Sequence, residues 1–153
     1  MPITYEQVVR LAAAGESETL ELKKSTAQLS GAAETLCAFL NASGGTVLIG
    51  VAPSGHVVGQ QVADQTQQEI AAALRRFEPP AAITLDLIDV PGGSLQVIAL
   101  QAAPSPGAVP FTYNGRAFER IGTTTAQMPQ ETYQRLLMAC TAPCAGTTVA
   151  RPV

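Results

Sequence analysis

Between residues 16 and 59 the apolar and polar positions change period three times. Leu20 and Leu22 alternate with Thr19, Glu21 and Lys23, the pattern of a strand that buries its leucines and sets a carboxylate and an ammonium together on the opposite face. Glu16 has the opposite parity to Glu21, so the two converge only if Gly15 to Glu18 forms a turn leading into the strand. Ser30 precedes a helix-patterned run with Ala33, Leu36, Cys37 and Leu40 on one face, closed by Asn41-Ala42-Ser43-Gly44-Gly45. Thr46 to Val51 is apolar on both parities apart from its ends, which suits a central strand covered on both sides. Ala52-Pro53-Ser54-Gly55 has the composition of a turn, and His56-Val57-Val58-Gly59 returns from it as a short antiparallel strand. The predicted centre of the fold is strand, helix, strand, hairpin.

Thr4 with Gln7 matches a capping box, and Val8, Val9, Leu11 and Ala12 give a first helix its apolar stripe up to Gly15. Asp64 with Gln67 repeats the capping signal for a second long helix, with Ile70, Ala73, Leu74 and Phe77 on its buried stripe and a stop at Pro79-Pro80. Arg75 and Arg76 leave its last turn, where the helix dipole favours cations. Ile83 to Val90 and Leu95 to Leu100 form a hairpin over Pro91-Gly92-Gly93-Ser94, and the prolines of 102–110 require a loop. Phe111 to Phe118 reads as two short strands around Asn114-Gly115, the strongest short hairpin signal in the chain. Met128-Pro129-Gln130-Glu131 opens the last helix, with Tyr133, Leu136, Leu137 and Cys140 inward. After Thr141 no periodicity remains. The expectation is an α+β fold: one domain over residues 1–140, with a mixed, mostly antiparallel sheet and flanking helices, then a flexible tail over 141–153.

Composition narrows the function classes. A chain of 153 residues with 46% hydrophobic and 14% charged residues has the make-up of a compact domain. No apolar run approaches the roughly 18 residues of a membrane span, and the first residues carry no basic-then-apolar leader, so a cytoplasmic protein without a membrane partner is expected. A formal charge of -3 argues against indiscriminate, salt-driven nucleic-acid binding. A local patch from Lys23, Lys24, Arg75, Arg76, Arg116 and Arg120 stays open beside the plainer reading of scattered solvated charges. Cys37 falls on an apolar helix face and reads as a core residue, while Cys140 and Cys144 lack the two further soft ligands a zinc site needs. His56 is the single histidine, placed on a hairpin. No G-x-x-x-x-G-K-[ST] element cradles a triphosphate, and Gly44-Gly45 reads as a tight backbone passage rather than a phosphate loop.

Gly15-Glu16 with Glu21-Leu22-Lys23, then Phe39-Leu40-Asn41-Ala42-Ser43-Gly44-Gly45-Thr46 with Ile49-Gly50-Val51, then Gly55 and Val58-Gly59, and finally Phe118-Glu119-Arg120-Ile121-Gly122-Thr123-Thr124-Thr125, resemble the Schlafen AlbA-type domain family in order and spacing. The resemblance implies that family's fold and a nucleic-acid-binding role. Relatives of this type include RNA endonucleases with two glutamates in an E-x4-E-x-K element and an aspartate just after the GG-x4-GV strand. Carried onto this chain, the resemblance makes Glu16 and Glu21 the metal-binding acids and Lys23 the third catalytic residue of an active enzyme, with magnesium or manganese as cofactor. The third acid would fall at Ala52 or Pro53, neither of which binds a metal. Asp86, on a neighbouring strand, is the one obvious substitute.

Three functions follow for test. The first is a Schlafen-like nucleic-acid-binding module, regulatory and homodimeric, contacting RNA or DNA through Lys23, Lys24, Arg116 and Arg120 with Tyr113 as a stacking surface. The second is a metal-dependent endonuclease with a degenerate acidic site, which requires a third acid in reach. The third is a structural or protein-interaction domain in which Glu21 pairs with Arg120 as an internal strut.

Overall fold

The computed structural model describes residues 2–141 of the chain. Its helices are α1 (Tyr5–Ala14), α2 (Leu29–Leu40), α3 (Asp64–Leu74) and α4 (Gln130–Thr141); its strands are β1 (Leu20–Lys23), β2 (Gly45–Ile49), β3 (Phe77–Glu78), β4 (Ile83–Asp89), β5 (Gln96–Ala102), β6 (Thr112–Tyr113), β7 (Phe118–Ile121) and β8 (Thr124–Gln127). The principal sheet has the order β1-β2-β5-β4. β1 and β2 run parallel with α2 as their crossover, and the other two pairings are antiparallel. This is the expected α+β domain with a mixed, mostly antiparallel sheet.

Side-chain parity divides the sheet into two apolar faces. Leu20, Leu22, Leu48, Val97 and Ala99 pack with Val8 and Ala12 of α1. Val47, Ile49, Ile98 and Leu100 pack under α2. The register aligns Glu21 with Val47 and Val47 with Leu100, so Glu21 belongs to the α2 face.

α2 is covered nearly all round. Eight of its residues are buried, among them Thr35, because the β7–β8 hairpin lies against the side of α2 not pressed on the sheet. A helix apolar on every side must be enclosed. The sequence shows this in Gly31-Ala32-Ala33-Glu34-Thr35-Leu36-Cys37-Ala38-Phe39-Leu40, although a single apolar face was expected.

Several boundaries differ from expectation for local reasons. α2 begins at Leu29, after a short turn over Thr26–Gln28 capped by Ser25, so Ser30 lies inside the helix. Asp64 is the first helical residue of α3, and Thr66 Oγ1 accepts the Ala63 N–H at 3.1 Å in place of the expected Asp64–Gln67 box. α3 ends at Leu74, and Phe77 sits in β3, paired with Tyr113. The Asn114-Gly115 turn forms, with positive φ at both residues, but closes only a bridge between Tyr113 and Arg116. β7 instead turns at Gly122-Thr123 to pair with β8. The 56–59 return strand is likewise reduced to a bridge, Val51 to Val57. On α4, Tyr133 and Leu136 are half-buried while Leu137 is exposed. Of the expected tail over 141–153, Thr141 is the last residue of α4; residues 142–153, Cys144 among them, and the Cys140 side chain lie outside the described residues.

Gly44 and Gly45 explain themselves by close approach. Gly44 has φ +89°, and a Cβ there would stand 2.6 Å from the Ala102 carbonyl oxygen; one on Gly45 would stand 2.6 Å from the buried Phe39 ring. We expect Gly45→Ala to destabilise the fold by about 1–3 kcal/mol, read from urea unfolding, because neither ring nor strand can retreat cheaply. Cys37 gives a second check. Burial pushes its thiol from 9.0 up to about 11, against a lowering by a backbone hydrogen bond at Phe118, with Glu34 adding to the rise. The unfolded thiolate therefore forms at lower pH than the folded one, so this contribution is intact below pH 9 and is lost as pH rises toward 11. The wild type should lose on the order of 2 kcal/mol more across that window than Cys37→Ala, in paired unfolding curves.

Candidate functional site

β1 is an edge strand, and edge strands expose unpaired backbone groups. Thr19 and Lys23 turn their carbonyls toward β2 and the chain after it, where Thr46, Gly50 and Val51 donate to them. The backbones of Leu20 and Leu22 point the other way, and local structure occupies them. Residues 17–20 fold into a tight turn with Ser17 N–H donating to Leu20 O at 2.9 Å, and Glu16 Oε2 accepts the Leu22 N–H at 3.0 Å. The turn required for Glu16 to approach the strand is thus present, and the Glu16 carboxylate is used to cap its open edge.

Arg120 of β7 holds this arrangement from across the molecule. Its side chain is 2% exposed. Nε and Nη2 donate to Ser17 O at 3.3 and 2.9 Å, Nη2 also donates to Leu20 O at 3.1 Å, and Nη1 donates to Thr125 Oγ1 at 2.9 Å. Nη1 is also 2.8 Å from Glu21 Oε1, and the guanidinium carbon lies 5.3 Å from the centre of the Phe39 ring. Thr125 Oγ1 shares a hydrogen bond of 2.8 Å with Thr35 Oγ1 of α2. The second Glu21 oxygen, Oε2, pairs with Lys23 Nζ at 2.9 Å. One guanidinium therefore clamps the 17–20 turn, neutralises a buried carboxylate and joins three elements.

Charge and burial decide what this cluster can do. The Glu21 side chain is 9% exposed and each oxygen faces a cation. A divalent ion would have to displace Arg120 or Lys23 and recover several oxygen ligands from this neighbourhood. Ala52 and Pro53 supply none. Asp86 pairs with Ala99 and lies on the α1 face, opposite Glu21 and three strands away, roughly 14 Å at ordinary strand spacing. Among the described residues no three His, Cys, Asp or Glu side chains gather closely enough to hold a metal. The donor set does not fit magnesium or manganese.

The other candidates separate. Tyr113 is buried at 3% exposure against Phe77, ring centres 5.1 Å apart, so its ring is no open stacking platform. Arg120 and Lys23 are committed to Glu21, whereas Lys24 and Arg116 are exposed. Asn41 was visible in the sequence only as part of the helix-end motif. Its amide accepts the Phe111 N–H at 2.6 Å and donates to Phe111 O and Phe118 O, each at 3.0 Å, fixing the entry to β7 and hence Arg120.

With this geometry in place the comparisons are specific. The profile of the family described as Schlafen, AlbA_2 matches residues 16–129, and the chain belongs to that family. The DIP2311 protein of Corynebacterium diphtheriae, a solved structure, shares the fold at a TM-score of 0.57 and 17% identity, over 88% of this chain and 27% of that one. The chain thus spans about a quarter of that protein's length. No curated protein matches.

Removing the clamp should cost stability before it costs anything else. Arg120→Met leaves Glu21 buried beside Lys23 alone and takes from Ser17 O its closest donor and from Leu20 O one of its two, so a loss of about 3–5 kcal/mol is expected in urea unfolding. Lys24→Met, at an exposed position, should stay within about 0.5 kcal/mol of wild type in the same measurement.

Proposed function

We propose that this chain is a nucleic-acid-binding module of the Schlafen type that binds without cutting. Family membership suggests a nucleic-acid-related role, and one observation supports binding over cleavage: both carboxylate oxygens of Glu21 are spent on Arg120 and Lys23. A cleaving site needs carboxylates free to fix a metal and its attacking water. Here the motif acids and the motif arginine maintain the edge strand instead. In this reading the module acts in the cytoplasm as a homodimer, two copies lining one groove and pooling their modest basic surfaces, with Lys24 and Arg116 among the contacts. The closed strut also favours a second reading, a protein-interaction domain with no nucleic-acid partner.

The test is incubation of the purified chain with labelled transfer RNA and labelled single-stranded DNA, with manganese or with chelator, beside Glu21→Gln. The proposal expects salt-sensitive binding, intact substrate in every lane and no dependence on manganese. Manganese-dependent cleavage lost in Glu21→Gln would overturn it in favour of a nuclease, and absence of binding at low salt would favour the protein-interaction reading.

A further inference from the structure

The strut leaves open which surface meets the nucleic acid. The chain has nine Lys and Arg residues. Lys23 and Arg120 are consumed by Glu21, and Arg151 lies outside the described residues. Arg10, Lys24, Arg75, Arg76, Arg116 and Arg135 remain, all exposed. Three of these six are gathered by the fold. The Asn114 N–H donates to the Arg76 carbonyl at 3.3 Å, which docks the Asn114-Gly115 turn on the C-terminal end of α3. Arg75 and Arg76 thereby come beside Arg116, the residue that closes the turn through its bridge to Tyr113.

The surroundings keep these guanidinium groups available. Glu69 lines a cleft of about 250 Å³ with Arg76, Ser30 and Tyr113, yet forms no ion pair; among the described residues the ion pairs are those of Glu21. On the other side of the turn Arg116 lines a smaller cleft, about 130 Å³, with Gln127, Gln130 and Tyr133. Amides and a phenol beside an unpaired guanidinium are donors of the kind that meet phosphate and sugar oxygens. Both clefts adjoin the 113–117 turn, Tyr113 lining one and Arg116 the other, and the turn between them carries no acid of its own; the nearest on the paired strand is the exposed Glu78, opposite Thr112.

We infer that the ridge formed by Arg75, Arg76 and Arg116 is the phosphate-contacting surface of the module, gripping the backbone of a single strand without reading its bases. This rests on the nucleic-acid reading above. The buried Tyr113 supports the ridge from beneath through Phe77. Base stacking on that ring is excluded by its burial, so affinity should be carried by charge and be insensitive to sequence.

The experiment is fluorescence anisotropy with labelled oligodeoxythymidine and oligouridine over a salt series, comparing wild type, Arg116→Gln, the triple variant Arg75→Gln/Arg76→Gln/Arg116→Gln, and Arg10→Gln. Arg10 lies on α1, across the sheet from α2, and matches Arg116 in charge removed. The triple variant should bind roughly tenfold or more weakly at low salt, with a log–log salt slope shallower by about 2, as three lost contacts to a single strand require. Arg116→Gln should fall between it and wild type, Arg10→Gln should match wild type, and all four should melt alike. Wild-type binding retained by the triple variant with an unchanged slope overturns the ridge and leaves the module reading standing. Equal losses in Arg10→Gln and Arg116→Gln also overturn it, since net charge alone would then account for binding. No binding by wild type to either probe defeats the module reading itself.

Discussion

The contact on which the rest depends is that of Arg120 with Glu21 and the 17–20 turn. Without it a carboxylate is buried on an apolar face, the 17–20 turn loses the closest donor to its Ser17 carbonyl, and a hairpin loses its anchor. The geometry is reciprocal. β1 can carry a glutamate on its covered face only because a guanidinium arrives there, and Arg120 can be 2% exposed only because four oxygens and an aromatic ring meet it. Burial raises the strength of each pairing and also the cost of losing either partner.

This constraint organises the chain between the two ends of the motif series. α2 is enclosed because the β7–β8 hairpin must lie over it for Arg120 to reach β1. Asn41, at the end of α2, fixes the backbone at Phe111 and Phe118 and so delivers β7 in the right place. Gly44 and Gly45 let the chain pass close to Ala102 and Phe39 on its way into β2. Glu16, Glu21, Asn41, Gly44, Gly45 and Arg120 thus each have a structural duty that accounts for the residue type. On the proposed reading, nucleic-acid contact falls to what the strut leaves over, the exposed arginines at the end of α3 and in the neighbouring turn.

Local chemistry was legible in the sequence and long-range partnership was not. The Thr4–Gln7 capping box, the α1 stop at Gly15, the β4–β5 hairpin and the central position of β2 follow from spacing and turn residues, and all appear in the structure. The 111–118 hairpin shows the limit: Asn114-Gly115 bends the chain as its composition demands, but β6 takes β3 as partner, a choice made by packing of Phe77 on Tyr113. The Glu21–Arg120 pair could be raised as one of three options, since both residues stand in motifs. Nothing in one sequence indicates that Arg120 would also take the carbonyls of Ser17 and Leu20, or that Asp86 would face the opposite side from Glu21. Parity fixes which residues of a strand share a face; it does not fix which face of one strand aligns with which face of another.

A double-mutant cycle on Glu21→Leu and Arg120→Met, read by urea unfolding, tests the strut most directly. The account predicts that Arg120→Met alone is far more damaging than the same change made beside Leu at position 21, with a coupling of about 2 kcal/mol or more between the two sites. Strictly additive losses would contradict it, because they would mean that Glu21 and Arg120 do not depend on each other and that the carboxylate is free for other chemistry.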